Sequence, residues 1–227
     1  MINVTYIDHC GSDQSTVNAA RVSFGKKSHC EYTRWVEMGD WAGDMPVVNE
    51  RDAKLIRYLA KHKHLSPFGH AFASFHVKAP VFVARQLVKH KFLRWNEISR
   101  RYVHEEPEFY VPDVWRGRSA DKKQGSDGVV DIDKGLIEEI HGQAVVTYQE
   151  LLSFGVAPEQ ARMVLPTSQM TEWHWSGSLD AFAAMCKLRC ASDTQYESRV
   201  VADQISKAML ELFPISWEAL MKGETNE

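Results

Sequence analysis

Residues 86–102 read QLVKHKFLRWNEISRRY, and this stretch decides how the rest of the chain is interpreted. It holds six cationic or titratable side chains, namely Lys89, His90, Lys91, Arg94, Arg100 and Arg101. A protein core does not hold that many charges without partners, because burying each unpaired charge costs several kcal/mol. We therefore expect the stretch to face an anionic ligand.

Two other interpretations of these residues stay open. A basic run is most often a solvated surface, although Trp95, Glu97 and Tyr102 within it argue against that here. Cations mixed with aromatic residues also suit single-stranded nucleic acid. However, the chain has 27 Lys and Arg against 30 Asp and Glu, a net charge of -3 and a pI of about 6.4. That balance favours a small phosphorylated ligand over nucleic acid.

The residues before the stretch predict how it is held. Residues 71–79 alternate small or apolar side chains with polar ones or Phe72, which is the period of a half-buried strand. Pro80 ends this strand, and residues 81–90 have apolar side chains at helical spacing. Residues 91–101 show no sustained period and predict a loop. Cations on a helix end and in the following loop can converge on one ligand.

Periodicity elsewhere predicts helices with a few strands. We expect strands at 2–7, 108–111 and 170–175, helices at 50–62, 132–154, 178–189 and 196–212, and short helices before Val22 and after Pro158. Residues 25–44 predict a loop with one helix near 32–38, and residues 116–131, with little to bury, predict a mobile loop. No repeat or linker divides the 227 residues, so we expect one domain.

Composition bears on location and on cofactor class. The chain is 44% hydrophobic and 25% charged, has no apolar run near the roughly 18 residues of a membrane span, and begins without the features of a signal peptide, so we expect a cytoplasmic protein. Four histidines between residues 62 and 76 lie on different predicted elements, and no metal site is expected. The four cysteines lack disulfide-framework spacing, and Cys186 and Cys190 fit core thiols.

Several short blocks, in order along most of the chain, resemble the flavin-dependent thymidylate synthases (the ThyX family). Lys89-His90-Lys91, seven residues and then Ser99 is similar to the family signature, Arg-His-Arg, seven residues and Ser. The other matching blocks are 20–24 (ARVSF), 64–68 (HLSPF), 75–80 (FHVKAP), 84–86 (ARQ), 96–97 (NE), 101–102 (RY), 108–110 (EFY), 161–162 (AR), 165–166 (LP) and 188–189 (LR). An ordered series of this kind is far more specific than one short motif.

The resemblance implies a fold, a reaction and an assembly. The fold would be a single α+β domain with a small, mostly antiparallel sheet and surrounding helices. The reaction would convert dUMP to dTMP, with methylenetetrahydrofolate giving the carbon and FAD, reduced by NADPH, giving the hydride. Family members are homotetramers whose active sites combine residues from neighbouring subunits. They do not rely on a cysteine nucleophile, so none of the cysteines is assigned a catalytic part.

The resemblance also implies roles for individual residues. Arg189 would be catalytic, polarising the uracil ring. The implied dUMP ligands are Gln86, Leu87, Val88, Lys89, Glu97, Ile98, Ser99, Arg100, Arg101, Arg162 and Arg189. The implied FAD ligands are His64, Ser66, Lys89, His90, Lys91, Phe92, Glu97, Ser178 and Ala184.

Four positions depart from the family pattern. Lys89 and Lys91 replace paired arginines, which keeps the charge but loses the planar fork. Ser178 and Ala184 stand where relatives often have Asn, so the affinity for flavin stays open. Besides the enzyme, two alternatives are kept: a single-stranded nucleic-acid-binding module, and a ThyX-like flavoprotein with altered or lost activity.

Overall fold

The computed structural model describes residues 1–103, 105–120 and 125–222. Its strands are β1 (Asn3–Cys10), β2 (Tyr32–Met38), β3 (Trp41–Val47), β4 (Phe72–Pro80), β5 (Leu93–Glu97), β6 (Trp115–Arg118), β7 (Ser126–Val130) and β8 (Met170–Ser178). Its α-helices are α1 (Asp13–Arg21), α2 (Glu50–Lys61), α3 (Val81–Leu87), α4 (Gly135–Ser153), α5 (Pro158–Ala161), α6 (Leu179–Arg189), α7 (Tyr196–Leu212) and α8 (Pro214–Met221). Short 3-10 helices span Val22–Phe24, Ser66–His70 and Arg162–Val164.

A four-stranded antiparallel sheet in the order β1-β4-β8-β5 forms the centre of the molecule. In β4 the alternation predicted from the sequence is observed: Ala73, Phe75 and Val77 are buried, whereas the side chains between them are not. One face of the sheet therefore carries the core, and helices α6 and α7 pack against it. The α+β class with antiparallel sheets is confirmed.

Aromatic side chains fill the contact between the sheet and α6. Phe182 of α6 meets Phe75 of β4 and Trp175 of β8 edge-on, with ring centroids 5.4 Å and 5.7 Å apart. Edge-to-face geometry is the favourable arrangement for such rings. Trp95 of β5 stacks on Trp173 of β8 at 4.3 Å, which attaches the short edge strand to the core.

Most predicted elements are confirmed, and their ends follow local chemistry. Asn49 caps α2, since its side chain accepts a hydrogen bond from the Asp52 backbone N–H at 2.9 Å. Helix α7 has the predicted limits, and Pro214, which cannot continue it, begins α8. Helix α3 ends at Leu87, three residues before the predicted end.

Three sequence predictions are wrong. Residues 32–38 form β2, not a helix, and pair with β3 through a two-residue turn at Gly39, whose φ of 57° suits glycine. Residues 93–97, predicted as loop, form β5, because pairing with β8 gives Leu93 and Trp95 a half-buried face. Residues 108–111 form no strand but only a bridge between Phe109 and Gln169.

The loop predicted at 116–131 is also wrong in part, because residues 116–118 belong to β6 and residues 126–130 form its antiparallel partner β7. Residues 121–124 of this segment are outside the described residues, and its mobility stays a prediction. Within the described ranges, no helix is long and apolar enough to span a membrane.

Candidate active site

One end of the sheet collects most of the residues that the resemblance assigns to flavin. Here β4 begins, β8 ends and β5 begins, with Phe72 opposite Ser178 and Leu93 opposite Gly177. The 3-10 helix that starts at Ser66 leads into β4 and packs on α6. The expected flavin ligands around this end are therefore His64, Ser66, Lys89, His90, Lys91, Phe92 and Ser178.

Gly177 lets the turn before β5 approach β8 closely. A Cβ atom at Gly177 would lie 2.4 Å from Leu93 Cδ2 and 3.3 Å from the Phe92 carbonyl oxygen. Phe92 has a φ of 66° and is exposed, as are Lys89 and Lys91. The turn thus presents two cations and an aromatic ring to solvent while its backbone lies against the sheet.

Arg189, the expected catalytic residue, is held by His90. It is the last residue of α6, and its Nε donates a hydrogen bond to His90 Nε2 at 3.0 Å. Burial, and then the adjacent Arg189 charge, lower the pKa of His90, which favours the neutral imidazole that this bond needs. The two terminal nitrogens of Arg189 have no partner among the described residues.

Gln86 on α3 lies in a set of polar contacts with the start of α7. Its Nε2 donates to Gln195 Oε1, and its Oε1 accepts from Ser198 Oγ at 3.2 Å. Gln195 Nε2 in turn donates to Glu197 Oε2 at 3.1 Å, and Arg116 forms an ion pair with Glu197 at 2.5 Å. We call Gln86, Gln195, Glu197 and Arg116 the Gln86 network.

The sequence singles out neither Gln195 nor Arg116, and it offers Glu197, like Asp193, only as an acid that could pair with Arg189. The structure instead pairs Glu197 with Arg116 and bonds Arg189 to His90. Polar residues at the start of a helix and in a Gly-rich segment are usual at surfaces, so no signal in the sequence alone marked them. Only the fold brings residues 86, 116 and 195–198 together.

At the opposite end of β5 lies the second part of the expected nucleotide set. Glu97 Oε1 accepts from Thr171 Oγ1 at 2.7 Å, and Glu97 Oε2 accepts from Trp95 Nε1 at 3.1 Å. Arg101 donates to Ser99 Oγ from its backbone N and from Nε, both at 3.4 Å. Glu97 is thereby oriented by two donors, and the Ser99 hydroxyl accepts from Arg101 but donates to no described residue.

The remaining expected ligands differ in exposure. Leu87 is fully buried in the core, whereas Val88 and Ile98 are exposed. Arg100 donates to the Glu105 carbonyl, and Arg162, in a 3-10 helix, is exposed, with no hydrogen bond from its guanidinium to another described residue. Ala184 is on an exposed face of α6. Leu87 can therefore reach a ligand only through its backbone.

Strand β5 separates the two parts of the site within one chain. Its four residue steps, at about 3.3 Å each, place Leu93 and Glu97 about 13 Å apart. His90 lies before the first of these and Ser99 after the last. One chain thus offers Gln86, His90 and Arg189 as one set, and Glu97, Ser99 and Arg101 as another.

The histidines and cysteines give no other reactive centre in the described chain. His62 lies 4.3 Å from the Tyr58 ring and 6.3 Å from the His64 ring in tilted contacts, whereas His76 pairs with Glu172 at 3.0 Å on the sheet. No group of three or more His, Cys, Asp or Glu among the described residues could hold a metal ion. Cys186 is buried, and burial raises the pKa of its thiol, which opposes a nucleophilic thiolate.

The chemistry open to this site is binding and polarisation. Ser99 has no base beside it in the described structure, so the site lacks an activated nucleophile. It offers guanidinium, ammonium and amide donors, which suit phosphate and the carbonyl edge of a base. Reduction at this site needs a cofactor.

Comparisons with known proteins agree with this picture. The family model for thymidylate synthase complementing protein, Thy1, matches residues 5–215. The chain is 39% identical over 219 residues to a flavin-dependent thymidylate synthase of Thermus thermophilus, spanning 95% of this chain and 74% of the relative. It is 38% identical over 223 residues to a flavin-dependent thymidylate synthase of Kosmotoga olearia, and the match spans 96% of this chain and 89% of the relative.

A solved structure is similar over nearly the whole fold. The UMP/dUMP methylase PolB from Streptomyces cacaoi, bound with 5-Br dUMP, superposes with a TM-score of 0.79 at 30% identity. The match covers 96% of this chain and 94% of that one.

Proposed function

Because the chain belongs to the Thy1 family of flavin-dependent thymidylate synthases, we propose that it methylates dUMP to dTMP, with methylenetetrahydrofolate as carbon donor and NADPH-reduced FAD as hydride source. The observation that carries the proposal is the placement of Arg189. Its guanidinium is fixed by His90 of the cationic turn at 89–92, and both terminal nitrogens are without a partner among the described residues.

Arg189 is proposed to activate the uracil ring. Uracil is a poor electrophile, and negative charge develops on its N3 and carbonyl edge when hydride reaches the ring. A guanidinium held against that edge stabilises the charge and stays protonated at any working pH. The bond to His90 orients the group before substrate arrives, so little reorganisation remains for the reaction step.

Exposed cations are proposed to bind the phosphates. None of Lys89, Lys91 and Arg162 forms an ion pair with a described acid, so each is available to an anionic ligand. Further hydrogen-bond donors for the dUMP phosphate lie beyond the far end of β5, on Ser99, Arg100 and Arg101. An ammonium contacts phosphate as a point charge, whereas a guanidinium can make two parallel bonds.

The residues at the sheet end fit a flavin. Gly177 removes a side chain where the turn at 89–92 meets the sheet, and the exposed Lys89 and Lys91 of this turn, with exposed Ser66, offer donors toward a diphosphate. The Ser178 hydroxyl already donates to Asp180 Oδ1 at 2.5 Å, so it would have to change partner to bind the cofactor. His64, His90 and Phe92 offer ring faces or edges. Bound FAD would supply the hydride transfer that no side chain of the chain can perform.

We further propose a homotetramer in which neighbouring subunits share each site. Within one chain, Leu93 beside the first set and Glu97 of the second set lie about 13 Å apart along β5, whereas two chains could bring one set from each together. Exposed Val88, Phe92, Ile98 and Tyr102 flank these residues and are suited to burial between subunits.

An activity assay tests the reaction. The purified protein, which should be yellow, is given dUMP, methylenetetrahydrofolate and NADPH, and dTMP is measured by chromatography. Omission of any one component should stop its formation. PolB is a UMP/dUMP methylase, and a parallel reaction with UMP tests whether this chain also accepts the ribonucleotide. A colourless protein that forms no dTMP with added FAD would contradict the proposal, and binding of single-stranded nucleic acid would then favour the alternative module.

Mixed assemblies test the shared site. Arg189→Ala and Arg101→Ala chains, each inactive alone, are co-expressed with different tags and the mixed assembly is purified. If one site takes Arg189 from one chain and Arg101 from another, some mixed sites contain both arginines and activity returns. Activity that stays absent from folded, flavin-loaded mixed tetramers would place both arginines in a site within one chain.

A further inference from the structure

We propose that Gln195 and Glu197 are positioning residues for dUMP, because they fix the orientation of the Gln86 amide. The inference rests on the proposed function, in which Gln86 contacts the nucleotide. The inference goes beyond the proposed function because it gives a task to Gln195, which contacts Gln86, and to Glu197, which contacts Gln195, although neither residue contacts the substrate.

The direction of each hydrogen bond in the Gln86 network follows from the charge on Glu197. An ionised carboxylate only accepts hydrogen bonds, so the side chain of Gln195 must turn its NH2 group toward Glu197. Its carbonyl oxygen then faces Gln86 and accepts from Gln86 Nε2. A flipped Gln195 would put an oxygen against the carboxylate and an NH2 group against the NH2 group of Gln86.

Ser198 completes the orientation of Gln86. This buried hydroxyl donates to Gln86 Oε1 at 3.2 Å, on the opposite end of the amide from Gln195. Gln86 therefore keeps one N–H and one oxygen lone pair for a ligand, each in a known direction. A pyrimidine edge, which carries both donors and acceptors, would be read by that pair.

Arg116 forms an ion pair with Glu197, whose side chain is only 9% exposed. The guanidinium lies 2.5 Å from Glu197 Oε1, packs over the Tyr196 ring at 4.0 Å and donates to Ser126 at 3.1 Å. Tyr110 lies 3.5 Å from the same carboxylate oxygen. Burial, and then Glu197, raise the pKa of Tyr110 to about 12, so its hydroxyl stays a neutral donor.

A purely structural explanation accounts less well for these contacts. Gln195 occupies the N-cap position of α7, but its side chain makes no capping hydrogen bond and extends to Gln86 and Glu197. A buried ion pair often stabilises a fold no more than apolar side chains of similar volume would. The pair also lines a cavity of about 550 Å³, where tight packing is not achieved. Orientation of Gln86 gives these polar side chains a task that packing alone does not.

Gln195→Met tests the inference, and Gln204→Met is its matched control. Gln204 lies on the same helix, accepts from the Val4 N–H at 3.0 Å and donates to the Val200 carbonyl at 3.1 Å, far from Gln86. Both variants lose two hydrogen bonds of one glutamine. We expect dUMP to bind Gln195→Met about tenfold more weakly, while Gln204→Met binds dUMP as the parent does and both bind FAD normally.

A double-mutant cycle separates positioning from general damage. In a Gln86→Ala background, Gln195→Met should change the Kd for dUMP no further, because its effect acts through Gln86. An equal loss in both backgrounds, or parental affinity in Gln195→Met alone, would overturn the inference.

Glu197→Gln serves if Gln195→Met does not fold. It keeps the shape of the side chain but removes the charge that orients Gln195, so dUMP binding should weaken on the order of threefold. Unchanged binding would overturn the inference. Failure of the parent protein to bind dUMP at all would instead refute the proposed function.

Discussion

Arg189→Ala is the most informative single change in the proposed active site. It removes a guanidinium that is held at Nε by His90 and leaves α6 intact, since Arg189 is the last residue of that helix and is only partly buried. The core residues of α6 lie on earlier turns. We therefore expect a folded protein with normal flavin content.

The size of the effect follows from the donors that are lost. Arginine has five N–H groups, of which one is used on His90, so the terminal nitrogens can offer paired hydrogen bonds to the uracil edge. Loss of one preorganised donor lowers turnover on the order of a hundred- to a thousandfold, or about 2.7–4 kcal/mol. Arg189→Lys keeps the charge but has no planar fork to contact His90 and the uracil ring together, so it should retain only part of the parent turnover.

Three measurements on one preparation decide the question: dTMP formation, NADPH oxidation through bound flavin, and binding of dUMP. We expect dTMP formation to fall at least about a hundredfold in Arg189→Ala, whereas NADPH oxidation through bound flavin should be maintained. Lys187→Ala, in the same helical turn but exposed, is the control and should behave as the parent. Near-normal dTMP formation by Arg189→Ala would remove this residue from the mechanism.

Four further outcomes are expected. Lys89→Arg and Lys91→Arg should tighten dUMP or FAD binding in calorimetry, because a fork matches phosphate; binding more than roughly tenfold weaker would contradict the assignment. Gly177→Ala should lower the free energy of unfolding in urea by about 1–3 kcal/mol, because the added Cβ clashes with Leu93. Adding Leu93→Ala should restore most of that free energy. A Gly177→Ala chain as stable as the parent would refute the close approach of Leu93 to Gly177. Burial lowers the pKa of His90, so the folded state binds fewer protons than the unfolded chain, and the free energy of unfolding should fall as the pH is lowered from about 7 to 5. The fall should be smaller in His90→Asn, and an equal fall in both proteins would argue against His90 as its source. Replacement of all four cysteines by Ser or Ala should preserve turnover per folded protein, and a folded, yellow but inactive variant would show that a thiol is used.

The elements that the sequence predicted well carry their own signal. Alternation in β4 and helical spacing in α7 reflect burial on one face, which a local pattern records. Strand β5 differs, because five residues with Arg, Asn and Glu become a strand only by pairing with β8, about eighty residues later in the chain. Its burial pattern depends on Trp173 and Trp175, which no local window contains.

The site divides in the same way. The cationic residues around Lys89 were predicted as a ligand-binding surface from composition alone, and the family blocks implied Gln86 and Arg189. Gln195 was missed, because its contact with Gln86 crosses more than a hundred residues of sequence, and the part of Glu197 depends on that contact since it bonds to Gln195. Long-range contacts of this kind require the fold.

The stacked tryptophans give the protein an optical property. Trp95 lies 4.3 Å from Trp173 and 5.6 Å from Trp175, so the three indoles exchange excitation and emit as one cluster. Trp95 is on β5, whereas the other two are on β8, and flavin absorbs where tryptophan emits. Ultraviolet fluorescence and circular dichroism of the unlabelled chain would therefore report detachment of β5 from the sheet, and quenching on addition of flavin would test the proposed cofactor position near that strand.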